Sequence, residues 1–401
     1  MAASLPDSEL LARLVSFDSS SSRSNRPIAD FCRAYLEEGG GRLRVVEHRY
    51  ERDGVEKVNL VAWLGGEELS SSDAGLALSG HLDVVPAESE GWESPPFTLT
   101  ERDGRWFGRG ACDMKGFIAL ALNAMRRRAA GEAPRSRLML VLCADEEVGS
   151  VGAARLANDW PADAPRPPRS VLIGEPTSLR AVRLHKGHLK LRITIEGRAA
   201  HSGFPHLGVN ANEAVGRIVS ALSGYREELE AVRVDTSEYF PETPFPALNV
   251  ARLSGGRAMN VIPDSAEIDV GVRLLPGMAS DPVVEKVRGL VERAAAPAKG
   301  TVLIINDSPP MLTDETAPLY GAIAELVDQR GTVGVPFASD AGAFSRVLGR
   351  ECVLFGPGSI DVAHRPNEYL PIDEFERGRE FVDRLIDRFA YEAQDGRNGD
   401  G

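Results

Sequence analysis

Short, continuous apolar runs mark the chain at residues 60–63, 76–78, 138–143, 171–173 and 352–355. Because they do not alternate with polar residues, they predict strands covered on both faces. Between them the pattern predicts helices over 115–130 and about 149–159. Strands alternating with helices imply an α/β sheet with helices on both sides.

The middle of the chain changes period. Leu189, Leu191, Ile193 and Ile195 alternate with Lys190, Arg192, Thr194 and Glu196, which predicts a strand with one wet face. A helix is expected over 212–228, strands over 247–254 and 266–275, a helix over 281–295 and a last strand over 302–305. In the 266–275 stretch, Ile268, Val270 and Val272 alternate with Glu267, Asp269 and Arg273. The order β-α-β-β-α-β suggests a ferredoxin-like sheet. The expectation is therefore a smaller domain over 184–299, inserted into a larger α/β domain formed by 1–183 and 300–401. Helices near 318–329 and 373–393 return the chain to the larger domain. Serine-rich loops are expected at 18–25 and 69–73, with a proline-rich connection at 161–169.

Several apolar runs end in acids or histidines. Residues 78–86 carry His81 and Asp83, two apart and so on one side of an extended chain. His81 as a metal ligand with Asp83 as its partner fits this spacing, and so does an ordinary structural hydrogen bond. Residues 108–116 form a glycine-rich turn with Asp113 before a helix. A phosphate cradle is the alternative there, but the pattern is not a Walker loop and Asp113 would repel a phosphate. The run 140–149, LVLCADEEVG, ends in Asp145, Glu146 and Glu147. Glu175 follows the run at 171–173, and His364 lies in the stretch 356–366. A lone acid after a strand is more often a helix cap. Five such positions converging on one sheet edge suit a two-metal site with imidazole and carboxylate ligands, for Zn²⁺ or less often Co²⁺ or Mn²⁺.

Composition narrows the partners. With a formal charge of -13, 43% hydrophobic and 26% charged residues, the chain has the make-up of a globular protein. The acidic balance argues against nucleic acid and anionic membranes. The amphipathic start carries acids and no basic, apolar leader pattern, so no signal peptide or membrane span is expected. Cys32, Cys112, Cys143 and Cys352 are scattered, which suits free thiols in a reducing cytoplasm. Cys112, beside Asp113, is read as a packing residue in preference to a ligand or nucleophile.

Taken in order over nearly the whole chain, the motifs around His81, Asp113, Glu147, Glu175 and His364 resemble those of the co-catalytic zinc aminoacylase and carboxypeptidase family. Further stretches, at 96–104, 174–179, 182–188, 208–211, 273–278 and 363–370, are similar to its acetylornithine deacetylase members. The resemblance implies a metallopeptidase-type α/β catalytic domain with an inserted ferredoxin-like lid and dimerisation domain. It implies that Asp113 bridges two divalent ions. His81 and Glu175 would complete one site, and Glu147 and His364 the other. Glu146 would be the general base, Asp83 would orient His81, and a cis peptide would follow Asp113. His201 would stabilise the oxyanion, often in the partner's active site. Asn260 and Arg273 would bind the substrate carboxylate; an ordinary salt bridge from Arg273 to Glu267 or Asp269 is the other reading. Glu175 stands where many relatives have aspartate. Ser339-Asp340-Ala341 departs from the Thr-Glu-Ala common among the deacetylases; Ser339 would border the substrate side chain, so the departure bears on substrate identity and not on the chemistry.

The implied activity is removal of acetyl from N²-acetyl-L-ornithine, an arginine-biosynthesis step, by a cytoplasmic homodimer acting on a small molecule. Another N-acyl-amino-acid deacylase, a desuccinylase or a dipeptidase would use the same groups. A non-catalytic metal-binding scaffold is expected to lose the base, and Glu146 is present.

Overall fold

The computed structural model describes residues 4–65, 73–88, 90–332 and 334–392. The expected serine-rich loop at 69–73 lies almost wholly outside them, as does the final residue of the expected 373–393 helix. The chain divides into two compact units. One comprises Met1–Arg183, Thr313–Val333 and Ser339–Gly401, the other Leu184–Leu312 and Gly334–Ala338.

The larger unit is built on a six-stranded sheet. Its order is Arg44–Arg52, Val55–Leu64, Arg137–Cys143, Gly75–His81, Ser170–Ile173 and Glu351–Leu354. The four strands from Arg137–Cys143 onward are parallel to one another, and the first two are antiparallel additions. The continuous apolar runs behave as their pattern requires: every residue of Gly75–His81 and of Arg137–Cys143 is buried. The helix Gly116–Ala130 is buried almost all round through Arg126, because it packs between the sheet and its neighbours. The core joins Leu10, Leu14, Ile28, Phe117, Leu140 and Phe375. Parallel strands put their carboxyl ends on one edge, where His81, Cys143 and Ile173 end three adjacent strands.

The smaller unit has a four-stranded antiparallel sheet in the order Ala247–Gly255, Ser265–Leu274, Gly187–Glu196 and Lys299–Ser308. With the helices Ala211–Glu230 and Asp281–Ala295 this is the ferredoxin-like arrangement. Leu189, Leu191, Ile193 and Ile195 are fully buried against Ile218, Leu222, Val287 and Val291, while the intervening residues face outward. Asn210 caps the first of these helices, accepting the amides of Asn212 and Glu213.

The expected boundary at 299 is corrected by strand pairing. Lys299–Ser308 bonds along its length to Gly187–Glu196, so the smaller unit runs on to Leu312. Gly334–Val335 also pairs with Leu184–His185. The helix expected at 318–329 ends earlier, at Leu326. The last helix runs from Ile372 to Ile386 and closes in a wider turn to Tyr391. Among the described residues no helix is long and apolar enough to cross a membrane, and all four cysteines are buried and free.

Candidate metal centre

The strand Gly75–His81 delivers a buried imidazole at its end. His81 Nδ1 bonds the backbone carbonyl of Asp83 at 2.9 Å, which leaves Nε2 facing Asp113 Oδ1 at 3.0 Å. Asp83, expected to orient His81, meets the ring through its backbone carbonyl, and its carboxylate stands 3.8 Å from the same nitrogen. That carboxylate accepts the Ser21 hydroxyl at 2.7 Å and the amides of Glu146 and Glu147 at 3.0 and 3.2 Å.

Asp113 lies in the turn before Gly116–Ala130, and the peptide bond that follows it is cis, as the resemblance implies. Its second oxygen is 3.2 Å from His364 Nε2, which also meets Glu147 Oε2 at 2.9 Å. Glu175 follows the strand Ser170–Ile173 and is buried. The five expected ligands are therefore brought together in the larger unit. Ligand atoms of His81, Asp113 and Glu175 lie within 4.8 Å of one another, and so do those of Asp113, Glu147 and His364. Asp113 belongs to both groups.

The electrostatics show what this arrangement lacks. Burial pushes Glu175 well above the usual carboxylate range, reinforced by the charge of Asp113. Loss of water does the same to Glu146, reinforced by Glu175. Glu147 is raised by burial and by Asp113, against its bond to His364. Burial opposes charge on Asp113, but hydrogen bonds from His364 and His81 outweigh it and hold that carboxyl low. The Asp113 and Glu147 carboxylates lift His364 to about 10. Clustered carboxylates of this kind are stable only when paired or coordinated. Glu175 Oε1 is buried with no hydrogen-bond partner among the described residues. An orphaned carboxylate oxygen and a donor set of imidazole and carboxylate without thiolate both fit divalent cations. Cys112 stays outside the set; its thiol points to the Ser359 carbonyl at 3.5 Å.

A model of Peptidase family M20/M25/M40 matches residues 77–388. The chain belongs to this family. It is 36% identical over 383 residues to the acetylornithine deacetylase of Myxococcus xanthus, covering 94% of this chain and 96% of that one. Among solved structures, it resembles an M20 family metallo-carboxypeptidase from Sulfolobus solfataricus with a TM-score of 0.75 at 19% identity, covering 95% of this chain and 98% of the other. It also resembles the di-peptidase Dug1p of Saccharomyces cerevisiae with a TM-score of 0.72 at 18% identity, covering 95% of each. As an M20 family member with these residues in place, the chain is a metal-dependent amidohydrolase with the family's α/β fold.

The remaining expected site residues fall in both units. His201, Asn260 and Arg273 belong to the smaller unit. His201 is exposed, its Nδ1 accepting the Gly203 amide at 3.0 Å. Asn260 is exposed in a turn, its carbonyl accepting the Ser202 amide. Arg273 is half-buried opposite His188. The acids named as its salt-bridge alternative pair with other residues: Asp269 with Arg192 and Arg252, Glu267 with Arg252. Ser339, in the larger unit, is fully buried and accepts the Ala341 amide at 3.3 Å.

Two acids near the centre escaped the sequence reading. Asp145, at the end of the run 140–149, is fully buried; its side chain meets Lys57 Nζ at 2.9 Å and accepts the Tyr50 hydroxyl at 3.0 Å. Its carbonyl accepts the Val151 amide. Glu368, in the stretch 363–370, is buried against the loop that carries Asp113. A glutamate beside apolar residues, four positions after a candidate ligand, was the available signal.

Proposed function

We propose that the chain hydrolyses the acyl–nitrogen bond of an N-acyl amino acid, with N²-acetyl-L-ornithine as substrate and ornithine, for arginine biosynthesis, as product. The observation that carries the chemistry is the sharing of Asp113 by two ligand groups beside Glu146. The named activity of the Myxococcus xanthus relative, similar along nearly the whole chain, supports the substrate.

His81, Asp113 and Glu175 would hold one divalent ion, and Asp113, Glu147 and His364 the other. Zinc suits the set, with cobalt or manganese as substitutes. Bound there, such ions would polarise the scissile carbonyl and lower the pKa of bound water to about 7. Glu146 takes the proton of the attacking water and returns it to the leaving amine. Burial and the neighbouring Glu175 raise its proton affinity, which supports a proton-accepting role. His201, from its own or the partner subunit, donates to the developing oxyanion. Arg273 grips the substrate carboxylate through its planar fork, with Asn260 beside it, and Ser339 borders the side chain. The working form is a cytoplasmic homodimer. Exposed Leu303 and Ile305 on the edge strand of the smaller unit support a subunit contact there.

A second reading, cleavage of a dipeptide or of succinyl-diaminopimelate by the same groups, is favoured by the Ser339-Asp340 departure. A panel of acetylornithine, succinyl-diaminopimelate, acetylmethionine and a dipeptide, assayed on zinc- and cobalt-loaded protein, separates them. Highest kcat/KM on acetylornithine is expected; a higher value on any other member overturns the substrate assignment.

A further inference from the structure

The loop before the helix Gly116–Ala130 has no side-chain cap among the described residues, yet it must present Asp113 to two imidazoles. It follows the strand Arg105–Phe107, which pairs with Tyr369–Pro371, and is tied by the Arg109 amide to the Pro96 carbonyl and by Lys115 Nζ to the Phe17 carbonyl. Four of its other donors converge on one carboxylate. Glu368 Oε2 accepts Arg109 Nη1 at 2.6 Å and the Gly110 amide at 3.1 Å. Its Oε1 accepts the Cys112 amide at 2.9 Å and the Asp113 amide at 3.0 Å. The Glu368 carbonyl accepts the Gly108 amide at 3.0 Å. Both carboxylate oxygens are therefore used twice, by donors drawn from one short stretch of loop. Glu368 and Arg109 are both almost wholly buried, so their charges offset each other where water cannot.

Glu368 stands four residues after His364, whose imidazole meets Asp113 Oδ2 at 3.2 Å. One side chain thus ties the segment that carries His364 to the loop that carries Asp113. The bond to the Asp113 amide is the most direct: it fixes the backbone from which the shared carboxylate projects. Carboxylates accepting several amides are strong, charge-assisted acceptors with defined geometry.

We infer that Glu368 is a positioning residue of the metal centre, setting the aim of Asp113 through the amides of Gly110, Cys112 and Asp113. This rests on the proposal that Asp113 is shared by two ions. Glu368 touches neither ions nor substrate, so its loss acts through Asp113. Glu368→Gln keeps the shape but turns one oxygen into a donor that faces two other donors. Groups that orient ligands typically cost about 10–100-fold in metal affinity or activity when changed.

The test compares cobalt-loaded wild type with E368Q by visible d–d absorption, calorimetric Co²⁺ titration and thermal melting. Expected are a changed d–d spectrum, about 10–100-fold weaker binding of at least one ion, and a similar fall in kcat with KM within about twofold. Glu368→Asp, which keeps the carboxylate, is expected to fall between the two and serves in place of E368Q if that variant does not fold. Leu36→Ala, a core change in the same unit, controls for general loss of stability. An unchanged spectrum and affinity in E368Q overturn the inference, as does the same spectral change in L36A at equal melting temperature. Wild type that binds no cobalt overturns the metal reading itself, and this inference with it.

Discussion

The carboxylate of Asp83 accepts the amide of Glu146 at 3.0 Å, while the carbonyl of the same residue accepts His81 Nδ1 at 2.9 Å. One residue thus serves two functions through different atoms. Asp83→Asn leaves the carbonyl in place but loses an acceptor for the Glu147 amide or the Ser21 hydroxyl. The expected result is a kcat lowered by about 10–100-fold with metal content unchanged, measured by steady-state kinetics and metal analysis. Loss of metal would show that the side chain acts on His81.

Glu146 has a different signature. Glu146→Ala is expected to lower kcat by about 10²–10⁴-fold while the protein still binds two metal ions per chain. Loss of an ion in this variant would move the base to another residue.

The pair Lys57–Asp145 is sealed from solvent, and Lys57 also donates to the carbonyls of Ser21 and Arg23 at 2.8 and 2.6 Å. Lys57→Met leaves the buried carboxylate only the Tyr50 hydroxyl and the more distant Arg52, and is expected to cost about 3–5 kcal/mol in chemical denaturation. Adding Asp145→Asn is expected to restore part of that loss. A cost below about 1 kcal/mol for the single change would contradict a sealed pair.

His185 contributes to the pH dependence of the smaller unit, beside His188, which burial and Arg273 push down to about 3. His185 Nδ1 bonds the Lys186 carbonyl at 3.0 Å, and its Nε2 is buried without a partner among the described residues. Burial pushes it down to about 4 from 6.5. The unfolded chain therefore binds the proton first. The stability held by neutral His185 is complete above about pH 6.5 and is lost as pH falls through about 4. The loss amounts to about 3 kcal/mol. His185→Gln is expected to flatten this part of the profile, read by denaturation between neutral and acid pH; an unchanged slope would place the effect elsewhere.

Chelation tests the centre as a whole. Metal at about 100 times its Kd stabilises by about 2.7 kcal/mol, so EDTA is expected to lower the melting temperature of the larger unit by several degrees. Because Asp113 and Glu147 lift His364 to about 10, the metal-free protein holds a proton there at neutral pH. Metal binding is then expected to release protons and to tighten as pH rises, seen by calorimetry in buffers of different ionisation enthalpy.

Local pattern made much of this architecture legible. The apolar runs ending at His81, Cys143 and Ile173 marked the sheet, and the acids just beyond them marked its functional edge. Period-two alternation from Leu189 to Ile195 marked the smaller sheet. What stayed hidden depends on partners distant in sequence. Glu368 acts on the amides of Gly110, Cys112 and Asp113, more than 250 positions away, and Asp145 on a lysine from another strand. The stretch 302–305 reads as the last strand of the smaller sheet, and its pairing with Gly187–Glu196 carries the boundary past 299, with Leu303 and Ile305 exposed at 65% and 47% on the edge. Asp83 showed its spacing from His81 but not which of its atoms would face the ring.

The larger unit is interrupted: its first segment ends at Arg183, and it resumes at Thr313, with Gly334–Ala338 returning to the smaller unit before the final segment from Ser339. During synthesis His81, Asp113, Glu147 and Glu175 therefore leave the ribosome well before His364 and Glu368. Because Asp113 belongs to both ligand groups and its loop donates to Glu368, neither group is fully set until the last stretch of polypeptide is made. Completion of the centre is thereby a report that translation has passed residue 368.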